Sequence, residues 1–136
     1  MLGWIFVSAL LQGCEKADDE FVHTTNTISQ MICKASHTGG EYRGEIYEYN
    51  SKGEIVTDFT QEDVEGGYGL IIFKVPASLK DDVDLSSVYL VATVTYDEFI
   101  TPSLTGKHDI TGEGIVISVK SGVGTVRNYR VRGEYE

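Results

Sequence analysis

Several residue types that define particular classes of protein are scarce in this sequence of 136 residues. Two cysteines allow at most one disulfide, which excludes a scaffold held together by many disulfides. A single tryptophan leaves little of the large aromatic surface that sugar-binding sites prefer. Basic residues are also few, because 11 lysines and arginines against 21 aspartates and glutamates give a formal net charge of -10. Since nucleic-acid binding depends on clustered basic residues, we expect no nucleic-acid partner.

The N-terminal apolar run is too short to cross a membrane as a helix. Residues 2–11 are uncharged and apolar, but a membrane-spanning helix needs ~20 such residues. A short run at the N-terminus is typical of the core of a signal peptide. It is followed by Gly13 and Cys14, which resemble the lipobox of bacterial lipoproteins, where a small residue precedes the cysteine that is acylated. We predict a signal peptide over residues 1–13 and lipidation of Cys14.

Two features depart from the usual lipoprotein leader. Gln12 is bulkier and more polar than the residue normally found at that place, and no lysine or arginine precedes the apolar run. A start codon assigned too far downstream would account for the missing basic residues. The alternative is that residues 2–14 form an ordinary buried strand or helix with a core cysteine.

An acidic tether, residues 14–26, is predicted between the lipid anchor and the folded domain. A lysine and acidic residues directly after the lipidated cysteine resemble the surface-export signal of Bacteroidetes lipoproteins, and here they are Lys16, Asp18, Asp19 and Glu20. The resemblance implies an outer-membrane lipoprotein on the cell surface, joined to the membrane through the lipid on Cys14. The alternative is a solvated linker, as acidic stretches usually are, on a protein that faces the periplasm.

Residues 27–136 are predicted to form one all-β domain. Apolar and charged residues make up 41% and 24% of the chain, as in ordinary globular proteins, and no stretch keeps helical periodicity over three turns. Short alternating runs separated by turn residues favour a β-sandwich of about seven strands over a closed barrel. The predicted strands cover residues 27–35, 42–49, 54–59, 70–75, 88–96, 115–120 and 125–135, the last two forming a hairpin.

Alternation within the strands assigns side chains to the interior or to solvent. In the first strand Met31 and Cys33 share one face, so we predict that Cys33 is a small buried apolar residue rather than a reactive thiol. In the last strand the basic residues alternate with apolar residues, which predicts a solvated face rather than a basic binding site. That predicted face contains Arg127, Arg130 and Arg132.

A series of short motifs in this domain resembles a bacterial immunoglobulin-like domain of unknown function. The matching segments are residues 71–76, 84–85, 91–95 and 100–102, then Asp109 and the closing hairpin of residues 124–131 with Tyr129. That domain recurs near the N-terminus of Bacteroidetes surface lipoproteins. The resemblance implies an immunoglobulin-like sandwich and a surface location, but no chemistry. Its relatives often carry further domains, so the sequence leaves open whether the chain is complete or part of a longer gene.

Two groups of side chains are candidate binding sites. Tyr47 and Tyr49 share one face of a predicted strand and could present a flat platform to a glycan, although tyrosines at strand edges more often pack. Asp81, Asp82 and Asp84 are spaced closely enough to collect a hard cation such as calcium, but they lack the pattern of an EF-hand. The alternative for the aspartates is a solvated turn in which Asp84 caps the next element.

The sequence offers only a weak case for catalysis. Ser103, His108 and Asp109 lie close along the chain, but catalytic triads are recognised by geometry, and loops commonly contain these residue types. We therefore expect a non-catalytic, lipid-anchored module with a structural or adhesive role and no cofactor. Such a module could have a glycan or another surface protein as its partner. The alternatives are a glycan-binding surface lipoprotein and a small hydrolase.

Overall fold

The computed structural model describes residues 25–36, 39–57 and 66–136. The predicted signal peptide and most of the predicted tether lie outside these ranges. The predicted lipidation and export residues therefore also lie outside the described residues, namely Cys14, Lys16, Asp18, Asp19 and Glu20.

The described part of the chain is an all-β sandwich of two sheets. Its nine strands are β1 (Gln30–Lys34), β2 (Glu41–Arg43), β3 (Glu45–Tyr49), β4 (Tyr68–Val75), β5 (Val88–Thr93), β6 (Phe99–Thr101), β7 (Lys107–His108), β8 (Ile115–Lys120) and β9 (Val126–Tyr135). One sheet has the strand order β2-β1-β5-β7, and the other has the order β3-β4-β9-β8-β6. A single turn of 3₁₀ helix, Ala77–Leu79, follows β4. The predicted all-β sandwich is confirmed, with nine strands where about seven were expected.

The core lies between the sheets and follows the alternation of their strands. In β4 and β9 every second residue points inward and is buried, while the residues between them face solvent. Met31 and Cys33 of β1 are fully buried against this layer, as predicted. Removal of these apolar side chains from water, at ~25 cal/mol per Å², is the main force that holds the two sheets together.

The strands β8 and β9 form the predicted C-terminal hairpin. They pair antiparallel around a turn in which Ser121 N donates to Thr125 O at 2.8 Å. Gly124 in this turn has a φ of 93°, a left-handed conformation that favours glycine. β9 also pairs in parallel with β4, which places it at the centre of the five-stranded sheet.

The strand predicted over residues 42–49 is divided in the structure. β2 pairs with β1 in one sheet, whereas β3 pairs with β4 in the other, and the chain crosses between the sheets at Gly44. Gly44 is buried, and a Cβ atom there would lie 2.6 Å from Ile71 Cγ2. Because a glycine leaves room for the crossing, one β-prone run forms two short strands.

The prediction of a strand over residues 54–59 is wrong for the part that the structure describes. Residues 54–57 make an isolated bridge to the end of β3 instead of a strand, and the rest of that range lies outside the described residues. The Asn50 side chain stabilises a turn here, because its Oδ1 accepts hydrogen bonds from Lys52 N and Glu54 N. The split at Gly44 and the short strands β6 and β7 nevertheless raise the number of strands above the expected seven.

The strand predicted over residues 88–96 is shorter in the structure. β5 ends at Thr93, and Glu98 N then donates to Thr95 O at 3.1 Å, which turns the chain. Asp97 and Glu98 are both buried in this turn. The apolar alternation that predicted the strand therefore ends where buried polar groups begin.

The prediction that the basic residues of the last strand face solvent is wrong for Arg127. Residues two apart in a strand share a face, and Arg127 shares the inward face of Tyr129. Its side chain is fully buried, whereas Val126 is 47% exposed. The other two arginines lie on the outer face. The interior accommodates the Arg127 charge because Glu48 of β3 pairs with it.

Candidate functional site

The outer face of the five-stranded sheet combines tyrosines, aliphatic side chains and arginines. Paired residues on neighbouring strands lie on the same face, so β3, β4 and β9 place their outward side chains in rows. The two rows that contain the tyrosines are Tyr49, Tyr68 and Asn128, and Tyr47, Leu70 and Arg130. We refer to the surface formed by these six residues as the tyrosine face.

Tyr47 and Tyr49 lie on one face of β3, but the stacked pair is formed by Tyr49 and Tyr68. The ring centroids of this pair are 5.1 Å apart, and the ring planes differ by 18°. Each ring therefore covers one side of the other, which stabilises the pair beyond the apolar area that it buries. Tyr68 is 46% exposed and Tyr49 is half-buried, so part of their aromatic surface remains open to solvent.

Polar contacts hold Tyr47 beside this pair. Its hydroxyl donates to Glu45 Oε2 at 3.0 Å, and Lys74 Nζ lies 3.3 Å from the same oxygen. The hydrogen bond from Tyr47 and the contact with Lys74 lower the pKa of Glu45, and the same hydrogen bond raises the pKa of Tyr47. At neutral pH this end of the tyrosine face therefore carries a carboxylate, an ammonium group and a neutral phenol.

A shallow depression adjoins the tyrosine face. It has a volume of about 160 Å³ and lies among Tyr68, Val116, Asn128 and Arg130. Arg130 Nη1 donates to Glu113 O at 3.0 Å, and the guanidinium has further N–H groups to offer. An aromatic edge, an aliphatic surface and hydrogen-bond donors thus meet at one place, a combination that suits a ligand with one apolar and one hydroxylated side.

A buried ion pair lies directly beneath the tyrosine face. Arg127 Nε donates to Glu48 Oε2 at 2.8 Å, and the Tyr129 hydroxyl donates to the other oxygen of the same carboxylate. Burial raises the pKa of the Glu48 carboxyl, and the hydrogen bond from Tyr129 and the charge of Arg127 offset part of that rise. Burial also raises the pKa of Tyr129, so its hydroxyl remains a donor at neutral pH. Both oxygens of Glu48 therefore have a donor.

The same arginine fixes the backbone that carries the stacked tyrosines. Arg127 Nη2 donates to Tyr49 O at 2.9 Å and to Tyr68 O at 2.8 Å. These carbonyl groups belong to the end of β3 and the beginning of β4. Because a rigid guanidinium binds both strands, Arg127 is a positioning residue for the Tyr49–Tyr68 pair.

The N-terminal segment of the described chain is also bound to this region. The Asn26 side chain is buried, and its Nδ2 donates to Thr125 Oγ1 at 3.3 Å. Ile28 N donates to the Tyr129 hydroxyl at 3.1 Å. The packed domain therefore includes Asn26, which was predicted to be the last residue of the tether.

The aspartates considered as a calcium site lie on an exposed turn. Asp84 Oδ1 accepts hydrogen bonds from Ser86 N at 3.0 Å and Ser86 Oγ at 2.6 Å, and these bonds lower the pKa of Asp84. Asp81 and Asp82 are exposed. Within residues 25–36, 39–57 and 66–136, no group of three or more His, Cys, Asp or Glu side chains is placed to hold a metal ion. The contacts of Asp84 are those of the alternative prediction, a capped turn.

The structure gives Ser103, His108 and Asp109 separate hydrogen-bond partners. Ser103 Oγ lies 2.8 Å from a neighbouring hydroxyl, and His108 Nε2 lies 2.9 Å from a backbone oxygen, Leu104 O. Asp109 Oδ1 accepts from Thr111 N and Thr111 Oγ1. These bonds link neither the serine to the histidine nor the histidine to the aspartate, so the geometry gives no support to the hydrolase alternative.

Tyr68 is the member of the stacked pair that the sequence analysis did not place on a strand. The strand predicted over residues 70–75 begins two residues after Tyr68 and therefore does not include it. The alternation that places Leu70 and Ile72 on one face extends back to Tyr68, and this signal could have located it. Gly69 weakens this signal, because glycine is uncommon in strands. In the structure, however, a Cβ atom at position 69 would overlap the Tyr129 ring. Glycine is therefore present to make space for an aromatic side chain.

Comparisons with known proteins add little to this description. The described residues contain no helix that is both long and apolar enough to span a bilayer. Neither the protein-family models nor the curated proteins include a match to the sequence. Among solved structures, the chain is similar to that of a "putative secreted protein" from Bacteroides fragilis, with a TM-score of 0.47 and 18% sequence identity, over 82% of this chain and 95% of that chain. We draw no functional argument from a similarity at this level, and the resemblance to an immunoglobulin-like domain stays a prediction.

Proposed function

We propose that the chain is a lipid-anchored, non-catalytic β-sandwich module on the cell-surface side of the outer membrane, with a structural or adhesive role. The observation that supports an adhesive role is the tyrosine face. Tyrosine and arginine are enriched at protein interfaces because they offer large contact areas together with hydrogen bonds. Here Tyr49, Tyr68 and Arg130 lie on one partly exposed face, and the buried Arg127 binds the backbone of both tyrosines.

The anchor and the address rest on the sequence. The apolar segment of residues 2–11 followed by Gly13 and Cys14 supports lipidation, and the acidic residues after it support surface export. The net charge of -10 argues against nucleic acid as a partner and leaves another surface protein or a glycan.

Lipidation is tested by metabolic labelling of the full-length protein in a suitable bacterial host. The protein is expected to incorporate radioactive palmitate, and Cys14→Ala is expected to abolish the label. Cys33→Ala is the matched control, because it also removes one thiol but leaves the predicted anchor intact. Label that survives Cys14→Ala would contradict the lipobox assignment.

The adhesive role is tested by coating beads with the chain and measuring their retention on intact cells of the source bacterium. Combined Tyr68→Ala and Arg130→Ala substitutions are expected to release most of the beads, since both side chains project from the tyrosine face. Tyr96→Ala is the control, because Tyr96 is 63% exposed but lies in the turn after β5. Equal retention of all three proteins would exclude this face as the contact surface.

A glycan-binding role is the second candidate, and the stacked Tyr49–Tyr68 pair favours it. Sugar rings bind to exposed aromatic surfaces, and the adjoining depression supplies hydrogen-bond donors from Arg130 and Asn128. A glycan array with the wild-type chain, Tyr68→Ala and the Tyr96→Ala control tests this role. Glycan binding that Tyr68→Ala abolishes would support it, whereas an array without binding would exclude the tested glycans and leave a protein partner.

A further inference from the structure

An open cleft lies at the edge of the sandwich opposite to β3. There β6, the last strand of the five-stranded sheet, faces β5 of the other sheet. β7 pairs only with Val88 and Tyr89 of β5, so within the described strands the remainder of that edge has no neighbour. The cleft is therefore bounded by two strand edges and by the loop that follows β6.

The cleft is open to solvent and has a volume in the range of small-molecule sites. Its volume is about 470 Å³, and small-molecule sites have volumes of ~300–1,000 Å³. Most of the lining is apolar and comes from Leu90, Ala92, Val94, Ile100 and Leu104. Two further lining residues, Val91 and Phe99, are 51% and 58% exposed and form an apolar rim. Exposed apolar side chains that rim a concave surface mark binding sites more often than isolated ones do.

The hydroxyl side chains of Ser103 and Thr105 and one carboxylate interrupt this apolar lining. Glu98 lines the cleft but is only 6% exposed. Its Oε1 accepts a hydrogen bond from Thr95 Oγ1 at 2.8 Å, whereas its Oε2 is buried and has no hydrogen-bond partner among the residues that the structure describes. Thr95 Oγ1 also lies 3.1 Å from Asp97 Oδ1, and a hydroxyl has only one proton to donate. The backbone of Thr95 also donates to this carboxylate, so the shortage of donors is confined to Oε2.

A buried carboxylate with too few donors either takes up a proton or attracts a positive group. Burial raises the pKa of Glu98, the hydrogen bonds from Thr95 partly oppose this, and the negative charge of Asp97 raises it further. A cation within hydrogen-bond distance would favour the charged carboxylate. Because the Glu98 carboxylate is itself withdrawn from water, its attraction for a cation is stronger than that of a fully exposed carboxylate.

We propose that this cleft binds a small amphiphilic cation, an alkyl or aryl amine whose ammonium group pairs with Glu98. The hydrocarbon part of the amine lies against the apolar walls between β5 and β6. An alcohol of the same length offers a donor but no charge, so it satisfies the carboxylate less well. The inference is independent of the proposed adhesive role, because the cleft and the tyrosine face lie at opposite edges of the sheet.

The test is an NMR titration of the full chain carrying Cys14→Ala, labelled with ¹⁵N. Hexylamine, 1-hexanol and hexanoate are added separately, since they share one hydrocarbon length and differ in head group. Hexylamine is expected to shift the amide signals of Leu90, Ala92 and Ile100 and to bind about tenfold or more tightly than 1-hexanol, the factor expected for a hydrogen bond to a charged group. Hexanoate is expected to leave these signals in place.

Two variants test the role of the carboxylate. Glu98→Gln keeps the shape of the side chain and is expected to weaken hexylamine binding about tenfold. Glu113→Gln removes an exposed carboxylate from a different turn and is expected to leave binding unchanged. Equal affinities for hexylamine and 1-hexanol in the wild-type chain would overturn the proposal without reference to any variant. The proposal would also be overturned by hexylamine shifts confined to other parts of the chain, or by no shifts up to ~10 mM hexylamine. Only very weak binding escapes detection in that range.

Discussion

Glu48 and Glu98 are both carboxylates withdrawn from solvent, and they lie in the same small sandwich. The Glu48 side chain is 11% exposed and has a guanidinium and a phenol as donors, one for each of its oxygens. Glu98 is 6% exposed, but Thr95 is its side-chain donor and one of its oxygens has no partner in the described part of the chain. The first lies in a closed network between three strands, and the second lies beside an open cleft.

The comparison shows that burial of a charge does not by itself indicate its role. A buried ion pair whose oxygens and nitrogens are all bound contributes to the structure, and removing one partner leaves the other charge without compensation. A buried carboxylate with an unpartnered oxygen beside a cleft instead destabilises the folded state, and a ligand could relieve that cost. The two glutamates should therefore respond in opposite directions to the same substitution.

The largest effect is expected for Glu48→Gln. This substitution preserves the shape of the side chain but leaves the Arg127 charge buried without a carboxylate, which should destabilise the fold by about 3 to 5 kcal/mol in urea unfolding. Glu45→Gln on the same strand is the control and should shift the unfolding midpoint much less than Glu48→Gln does, because the contacts of Glu45 with Tyr47 and Lys74 are exposed to solvent. Combining Glu48→Gln with Arg127→Met should recover part of the loss. An unchanged midpoint for Glu48→Gln would show that the pair is not buried as described.

A smaller loss is expected for Cys33→Ser. Cys33 is fully buried among apolar side chains, and this burial raises the pKa of its thiol to about 11. The hydroxyl should destabilise the fold by about 1 to 3 kcal/mol. Cys33→Ala removes the sulfur without adding a polar group, so it should destabilise the fold less than Cys33→Ser does. Equal midpoints for the wild-type and serine proteins would place Cys33 at the surface.

Glu98→Gln is expected to stabilise the fold, in contrast to Glu48→Gln, and to raise the free energy of unfolding by about 1 kcal/mol at neutral pH. The folded-state pKa of Glu98 is raised above its ordinary value of 4.5 by burial, so the folded state binds the proton more tightly than the unfolded state does. The cost of the charge therefore appears as pH rises from about 4.5 through the folded-state pKa. Below this pH range, Glu98→Gln should no longer be more stable than the wild-type protein. A variant that is less stable than wild type at neutral pH would mean that Glu98 has a partner after all.

The smallest effect on stability is expected for substitutions in the predicted tether. Replacing Lys16, Asp18, Asp19 and Glu20 with Ala and Ser should change the unfolding free energy by less than about 0.5 kcal/mol. The same change should keep the lipoprotein in the periplasm, where proteinase added to intact cells cannot digest it. A wild-type protein that is itself protected from proteinase would contradict surface display but leave the lipid anchor and the fold unaffected.

The features predicted correctly are those in which neighbouring residues decide the outcome. The alternation of β1 is enough to bury Cys33, and two alternating runs around a glycine-rich turn are enough to form the hairpin of β8 and β9. The errors arise where a distant residue decides. The basic type of Arg127 predicts a solvent-facing side chain, but Glu48, 79 residues earlier in the chain, pairs with it in the interior.

The sequence by itself determined the class of the fold, the closing hairpin and the inward face of the first strand, since each depends on periodicity over a few residues. Only the tertiary structure decided which charges are buried and which aromatic rings meet. Glu48 and Arg127 are 79 residues apart in the chain, and Tyr68 reaches Tyr49 only because β3 pairs with β4. The cleft beside Glu98 likewise exists only where the edges of two sheets face each other. Contacts of this kind depend on the packing of the whole sandwich, which no local pattern encodes.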